Sequence, residues 1–263
     1  MKEFFGFGGF EREPEGWLSP AHLILATSFI LVMIGLAIFL GLRYKNKSYE
    51  EKNKIIIWSA LLIDGFEIFK IIMGCITSGD PLNFLNNLPL FLCSIQLITL
   101  PVAAFSKGRL KEASLDFVFI FGMLGALAGI YGAAQNYNAY PTLSFPNVVS
   151  AITHSISGFA SLYIVISGMA SMKTKNTWIS LSILGTFGVL AYIANLALGT
   201  NYMFLMSHDG TPYSIFYNLV NGNRVAYPIL VILTLVIWIC IYYGIFYYIK
   251  KRKATKNIIE GKS

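Results

Sequence analysis

Seven apolar runs, each close to the ~20 residues that a helix needs to cross a bilayer, divide this 263-residue sequence. They fall at 20–42, 55–77, 84–105, 114–134, 148–171, 177–200 and 225–249, bounded by charge or by Gly, Pro and Asn. Composition agrees: 56% of the residues are hydrophobic and only 13% are charged, half of the roughly 25% that a water-facing surface carries. A soluble domain is excluded. The predicted fold is all-α, a polytopic bundle of seven transmembrane helices. The expected organisation is an extracytoplasmic N-terminal segment at 1–19, one transmembrane domain at 20–249 and a basic cytoplasmic tail at 250–263. The first run is too long for a signal peptide, lacks a small-residue cleavage pattern and follows Glu11, Glu13 and Glu15, so it is expected to stay in the protein.

Lysine and arginine set the expected orientation, because short loops rich in them stay on the cytoplasmic side. One side of the seven-span layout collects 16 of the 20, among them Arg43, Lys45, Lys107, Arg109, Lys173, Lys175, Lys250 and Lys262. The other has Lys2, Arg12 and Arg224, with Lys70 left inside a run. The N-terminus is therefore expected outside and the C-terminus in the cytoplasm, in a multi-pass protein of the cell membrane whose partners are membrane lipids. The net charge of +7 is scattered in short clusters and forms no basic face, so no nucleic-acid partner is expected. Cys75, Cys93 and Cys240 lie singly inside apolar stretches, which gives neither a disulfide framework nor a zinc spacing. No metal and no cofactor are expected. Nothing in the sequence assigns an oligomeric state.

Ionisable groups inside a bilayer cost about 2.5–3.5 kcal/mol each on insertion scales, so each one asks for a partner or a role. The second run carries Asp64, Glu67 and Lys70. Their i, i+3 steps put Glu67 beside both neighbours and allow it to pair with Lys70. The third run places Asn86, Pro89, Cys93 and Gln96 on one helical stripe, and the fifth does the same with Ser150, His154, Ser157 and Ser161. At a rise of ~1.5 Å per residue from the outer ends, Cys93 falls ~13 Å deep, His154 ~9 Å, Lys70 ~10 Å, Glu67 ~15 Å and Asn195 ~8 Å. His22 lies near the surface of the same half. Gly122, Gly125, Gly129 and Gly132 form a small-residue stripe that reads as helix packing.

Several segments resemble the YwaF-type integral membrane proteins of bacteria: LSPAHL at 18–23, EIFK at 67–70, LPLFLCSI at 88–95, the histidine at 154 and GTNYMFL at 199–205. Animal relatives of that family are regarded as transmembrane cysteine acyltransferases acting on phospholipids. The resemblance marks His22, Glu67, Lys70, Cys93, His154, Asn195 and Asn201, nearly the set that depth selects. It departs at Phe91, two before the cysteine, where the family often has histidine. By this resemblance Cys93 is a nucleophile that carries a fatty acyl chain to or between lipids as a thioester, and His154 is its general base. His22, Glu67, Lys70, Gln96, Asn195 and Asn201 are then expected to bind substrate, with Lys70 and Asn195 on the wall of a cavity between the third and fifth helices. Two other readings stay open. One is a small-solute carrier that uses the Glu, Lys and Asn cluster, and the other is a structural membrane protein without catalysis.

Overall fold

The computed structural model describes residues 2–260, and Met1 and 261–263, with Lys262 of the basic tail, lie outside the described residues. The chain is helical throughout, with no strand among those residues. Ten α-helices follow in order: α1 Lys2–Phe5, α2 Pro20–Tyr44, α3 Tyr49–Ser78, α4 Gln96–Phe105, α5 Gly108–Tyr131, α6 Ala134–Ala139, α7 Phe145–Ile166, α8 Thr177–Leu198, α9 Ser214–Leu219 and α10 Ala226–Glu260. Local chemistry marks the starts. Pro20 occupies the first turn of α2 behind Ser19, whose side chain accepts the His22 N–H. Ser48 and Glu51 form a reciprocal capping box at the start of α3. Gly199 closes α8 in the left-handed conformation, φ 67°.

Among the described residues, five helices are long and apolar enough to cross a membrane: α2, α5 with its continuation to Ala139, α7, α8 and α10 up to Arg252. Helix α3 has the length, 30 residues, but carries Asp64, Glu67 and Lys70. The third expected span differs most from the sequence reading. Residues 84–105 do not form one helix: a 3₁₀ turn covers Pro81–Asn86, turns continue through 95, and only Gln96–Phe105 is α-helical. Ten residues rise ~15 Å, about half of the hydrocarbon thickness. Cys93 thus sits in non-helical backbone just ahead of a half-length helix, and Asn86, Pro89, Cys93 and Gln96 share no continuous helical stripe. Irregular backbone at membrane depth is tolerated only where protein or a cavity surrounds it.

Helices α5 and α7 pack along each other at the centre, with α2 and α3 against α7 and α4 wedged between α3 and α5. Phe117, Ile120 and Phe121 of α5 face a second layer made by α8, α10 and residues 202–205. Many large apolar side chains point outward, for example Leu31, Ile68, Leu196 and Ile229, as lipid contact requires. The protein is a multi-pass membrane protein.

Candidate functional site

A cavity of about 40 Å³ is lined by Ile63, Glu67 and Lys70 of α3, Cys93, Ser94 and Leu97 around the start of α4, and Thr153, His154 and Ser157 of α7. That is room for about one water molecule. Four expected site residues therefore meet here: Cys93, His154, Glu67 and Lys70. Lys70 Nζ lies 2.6 Å from Glu67 Oε1, with the two side chains 22% and 10% exposed, so the only charged pair lining the cavity is internally neutral.

Helix α5 lies directly against two of these side chains. A Cβ at Gly125 would lie 3.3 Å from Cys93 Cβ, and one at Gly129 would lie 1.9 Å from His154 Cδ2. Residues four apart share one helix face, so the thiol and the imidazole lie over successive turns of α5 and line the same cavity. The glycine stripe that reads as packing in the sequence is what lets both side chains approach that closely.

The imidazole has a defined tautomer. Its Nδ1 is 2.7 Å from the Ser150 carbonyl oxygen, an atom that only accepts, so Nδ1 carries the proton. Nε2 is then the free acceptor of the neutral ring. The Ser157 hydroxyl is buried with no hydrogen-bond partner among the described residues, which leaves it free for a ligand in the cavity.

The other expected residues lie elsewhere, and His22, Asn195 and Asn201 are each occupied by backbone. His22 is fully buried. Its Nδ1 accepts the Leu18 N–H at 3.0 Å, its Nε2 donates to the Ile130 carbonyl at 2.9 Å, and its ring rests on Tyr137 at 3.9 Å between centroids. With Trp17, whose indole N–H donates to the Tyr131 carbonyl, it satisfies the last carbonyls of α5. Asn195 donates to the Tyr202 carbonyl at 3.0 Å and accepts the Tyr202 N–H at 2.6 Å and the Thr200 hydroxyl at 2.9 Å. Asn201 accepts the N–H groups of Met206 and Ser207 and donates to Asp209 at 2.7 Å. Burial pushes the Asp209 carboxyl up, but hydrogen bonds from Ser207 and Asn201 outweigh it and hold the group below its ordinary range. Gln96 is fully buried beside Thr99, whose hydroxyl donates to its Oε1 at 3.1 Å.

Asn195 nevertheless acts on the cavity at one remove. It fixes Tyr202, whose hydroxyl donates to the Leu85 carbonyl and accepts the Leu88 N–H at 3.2 Å. Those two contacts hold the irregular strand of chain that leads to Cys93. Phe91 packs edge-on against Tyr202, with ring centroids 5.0 Å apart, and against Phe204 at 5.9 Å, so it anchors the same segment. The sequence reading missed Ser94 and Thr153. Each is the immediate neighbour of a singled-out residue, and the broken third span brings Ser94 to the cavity.

Comparison with curated proteins and with solved structures finds no match. The profile of the TMEM164 family matches residues 17–247, most of the chain and all of the elements just described from α2 into α10, and the chain belongs to the TMEM164 family.

Proposed function

We propose that this protein is a membrane-embedded cysteine acyltransferase that moves a fatty acyl chain to or between lipids, in line with the YwaF-type resemblance. The observation that carries the reading is one cavity lined by both the Cys93 thiol and a His154 ring whose Nδ1 is committed to the Ser150 carbonyl. Neutral Nε2 takes the thiol proton, and the thiolate attacks the acyl ester carbonyl of a donor lipid. The tetrahedral oxyanion collapses as His154 returns the proton to the leaving lipid oxygen. In the second half, His154 removes the proton from an acceptor hydroxyl, that oxygen attacks the thioester, and the Cys93 thiolate leaves and is reprotonated. Lys70 and the unpartnered Ser157 hydroxyl are the nearest candidates to steady the oxyanion.

The cavity volume suits this chemistry better than solute carriage. About 40 Å³ admits a reacting carbonyl but no solute larger than a few atoms, and the Glu67–Lys70 pair neutralises itself. The acyl chain then lies outside the cavity, along the lipid-facing apolar side chains of α3 such as Phe69 and Ile72. The expected orientation, with the basic tail in the cytoplasm of a cell-membrane protein, puts the cavity toward the outer half.

The test is to incubate the purified chain in phospholipid vesicles and search Cys93 peptides by mass spectrometry for a hydroxylamine-labile acyl group. The adduct should appear in wild type and disappear in Cys93→Ala. Lipid exchange that continues at the wild-type rate in Cys93→Ala would overturn the proposal.

A further inference from the structure

A second recess, of about 310 Å³, lies at the basic end of the molecule and is lined by Met172, Lys173, Thr174, Lys175, Tyr247 and Lys250. It belongs to none of the chemistry above. Arg109 borders it by donating to the Lys175 carbonyl, so four cations surround it. Lys173 is paired with Glu112 at 2.6 Å. Lys175 and Lys250 form no ion pair among the described residues.

The recess is built rather than draped. Asp116, fully buried, accepts the Ser171 N–H at 2.9 Å, the Met172 N–H at 2.8 Å, the Ser171 hydroxyl at 2.9 Å, Asn176 Nδ2 at 3.1 Å and the Tyr243 hydroxyl at 3.3 Å. Those five donors satisfy its oxygens and lock the turn that forms the wall. Met172 sits in the left-handed region, φ 40°, which a residue with a Cβ holds only when its surroundings fix it. Lys250 reaches across from α10 and donates to the Ser171 carbonyl at 2.5 Å, tying the two elements that bound the recess.

Its setting is the rim of the apolar belt. Trp178 at the start of α8 is 75% exposed and Tyr247 is 56% exposed, as aromatic side chains at the headgroup level are. The recess therefore opens where lipid headgroups lie. Arg252 stacks over the Tyr248 ring at 5.2 Å and extends the same cationic rim.

We infer that this recess binds a phosphate group, supplied by the headgroup of an anionic phospholipid. Lys173, Lys175, Lys250 and Arg109 outnumber Glu112 and the buried Asp116, an excess that selects a net-negative headgroup, and the flanking aromatic side chains take the glycerol and upper acyl region. A zwitterionic headgroup offers the same phosphate but brings its own cation, which Lys175 and Lys250 repel.

Native mass spectrometry of the full-length protein, titrated with phosphatidylglycerol, phosphatidylcholine or inorganic phosphate, tests this. The protein should retain phosphatidylglycerol over phosphatidylcholine by about fivefold or more, the effect of one lysine near an anionic surface. Lys175→Glu should remove the preference, as should the double variant Lys175→Gln with Lys250→Gln. Lys45→Gln, in a different basic loop, should leave it intact, and millimolar inorganic phosphate should not compete. Equal retention of the two lipids, a preference that survives Lys175→Glu in the folded protein, an equal loss in Lys45→Gln, or displacement by free phosphate would each overturn the inference.

Discussion

Gly129 lies directly beneath the imidazole of His154, so close that a Cβ on it would stand 1.9 Å from ring Cδ2 and 2.0 Å from Nε2. No rotation of a methyl relieves an overlap of that size, so the ring itself must move. Gly125, one turn earlier, meets Cys93 at 3.3 Å, a contact that a few tenths of an ångström would relax.

The two glycines therefore separate packing from chemistry. Gly129→Ala should reduce acyl capture on Cys93 by about 10²-fold or more, the contribution of a placed general base, while Gly125→Ala should reduce it far less. Both proteins should keep the wild-type elution profile, because the added methyl meets only side-chain atoms of His154 in the one case and makes a 3.3 Å contact with Cys93 in the other. Similar activity losses in the two variants would show that the glycines act only as a packing stripe.

Glu67 and Lys70 should behave as one neutral unit. Removing one partner of a buried pair costs about 3–5 kcal/mol, and the 10% and 22% exposure of these side chains places the expected loss toward the lower figure. Glu67→Gln or Lys70→Met alone should lower the thermal midpoint more than the two changes together. Additive losses in the double-mutant cycle would mean that the 2.6 Å contact carries no coupling.

The sequence makes the polar groups visible and hides their partners. Cys93, His154, Glu67 and Lys70 stand out because ionisable or nucleophilic side chains in apolar runs are costly, and the cavity brings those four together. His22, Asn195 and Asn201 stand out for the same reason, yet each bonds backbone at a helix end or turn. A polar side chain that cements a turn and one that awaits a ligand have the same signature until neighbours from distant segments are known. The break in the third span was equally hidden, since LPLFLCSIQLITLP is apolar enough to pass for a continuous helix. Asn87 and Pro89 were the available signals: neither favours a helix interior, and the Tyr202 hydroxyl then supplies the partners that the unwound backbone lacks.

Glu15 should make the docking of the N-terminal segment depend on pH. Its carboxylate accepts the Thr142 N–H at 2.7 Å, and that bond, helped by Arg12, holds it below the ordinary glutamate range despite some burial. A depressed carboxyl stabilises the folded arrangement above its unfolded pKa and loses that contribution as pH falls through the folded value. Protease cleavage between 1 and 19 should accelerate as pH drops below about 4, and Glu15→Gln should cleave at a rate that does not vary with pH over that interval. Identical pH profiles for the two proteins would remove Glu15 from the docking.

Tyr202→Phe tests whether the cysteine is positioned from a distance. The substitution keeps the ring that packs on Phe91 and deletes only the hydroxyl that bridges the Leu85 carbonyl and the Leu88 N–H. Leaving such backbone groups without a partner costs about 1–3 kcal/mol, which falls on residues 85–95 because α8 and the Asn195 contacts to the Tyr202 backbone are untouched. The Cys93 thiol should then react faster with a membrane-permeant maleimide as its segment loosens, while acyl capture falls and labelling of Cys75, which the Tyr202 hydroxyl does not touch, stays at the wild-type rate. Asn195→Ala should give the same pair of effects more strongly, since it releases the whole turn that presents Tyr202. If Tyr202→Phe leaves both rates at wild-type values while lowering the thermal midpoint, the bridge is structural only and does not position Cys93.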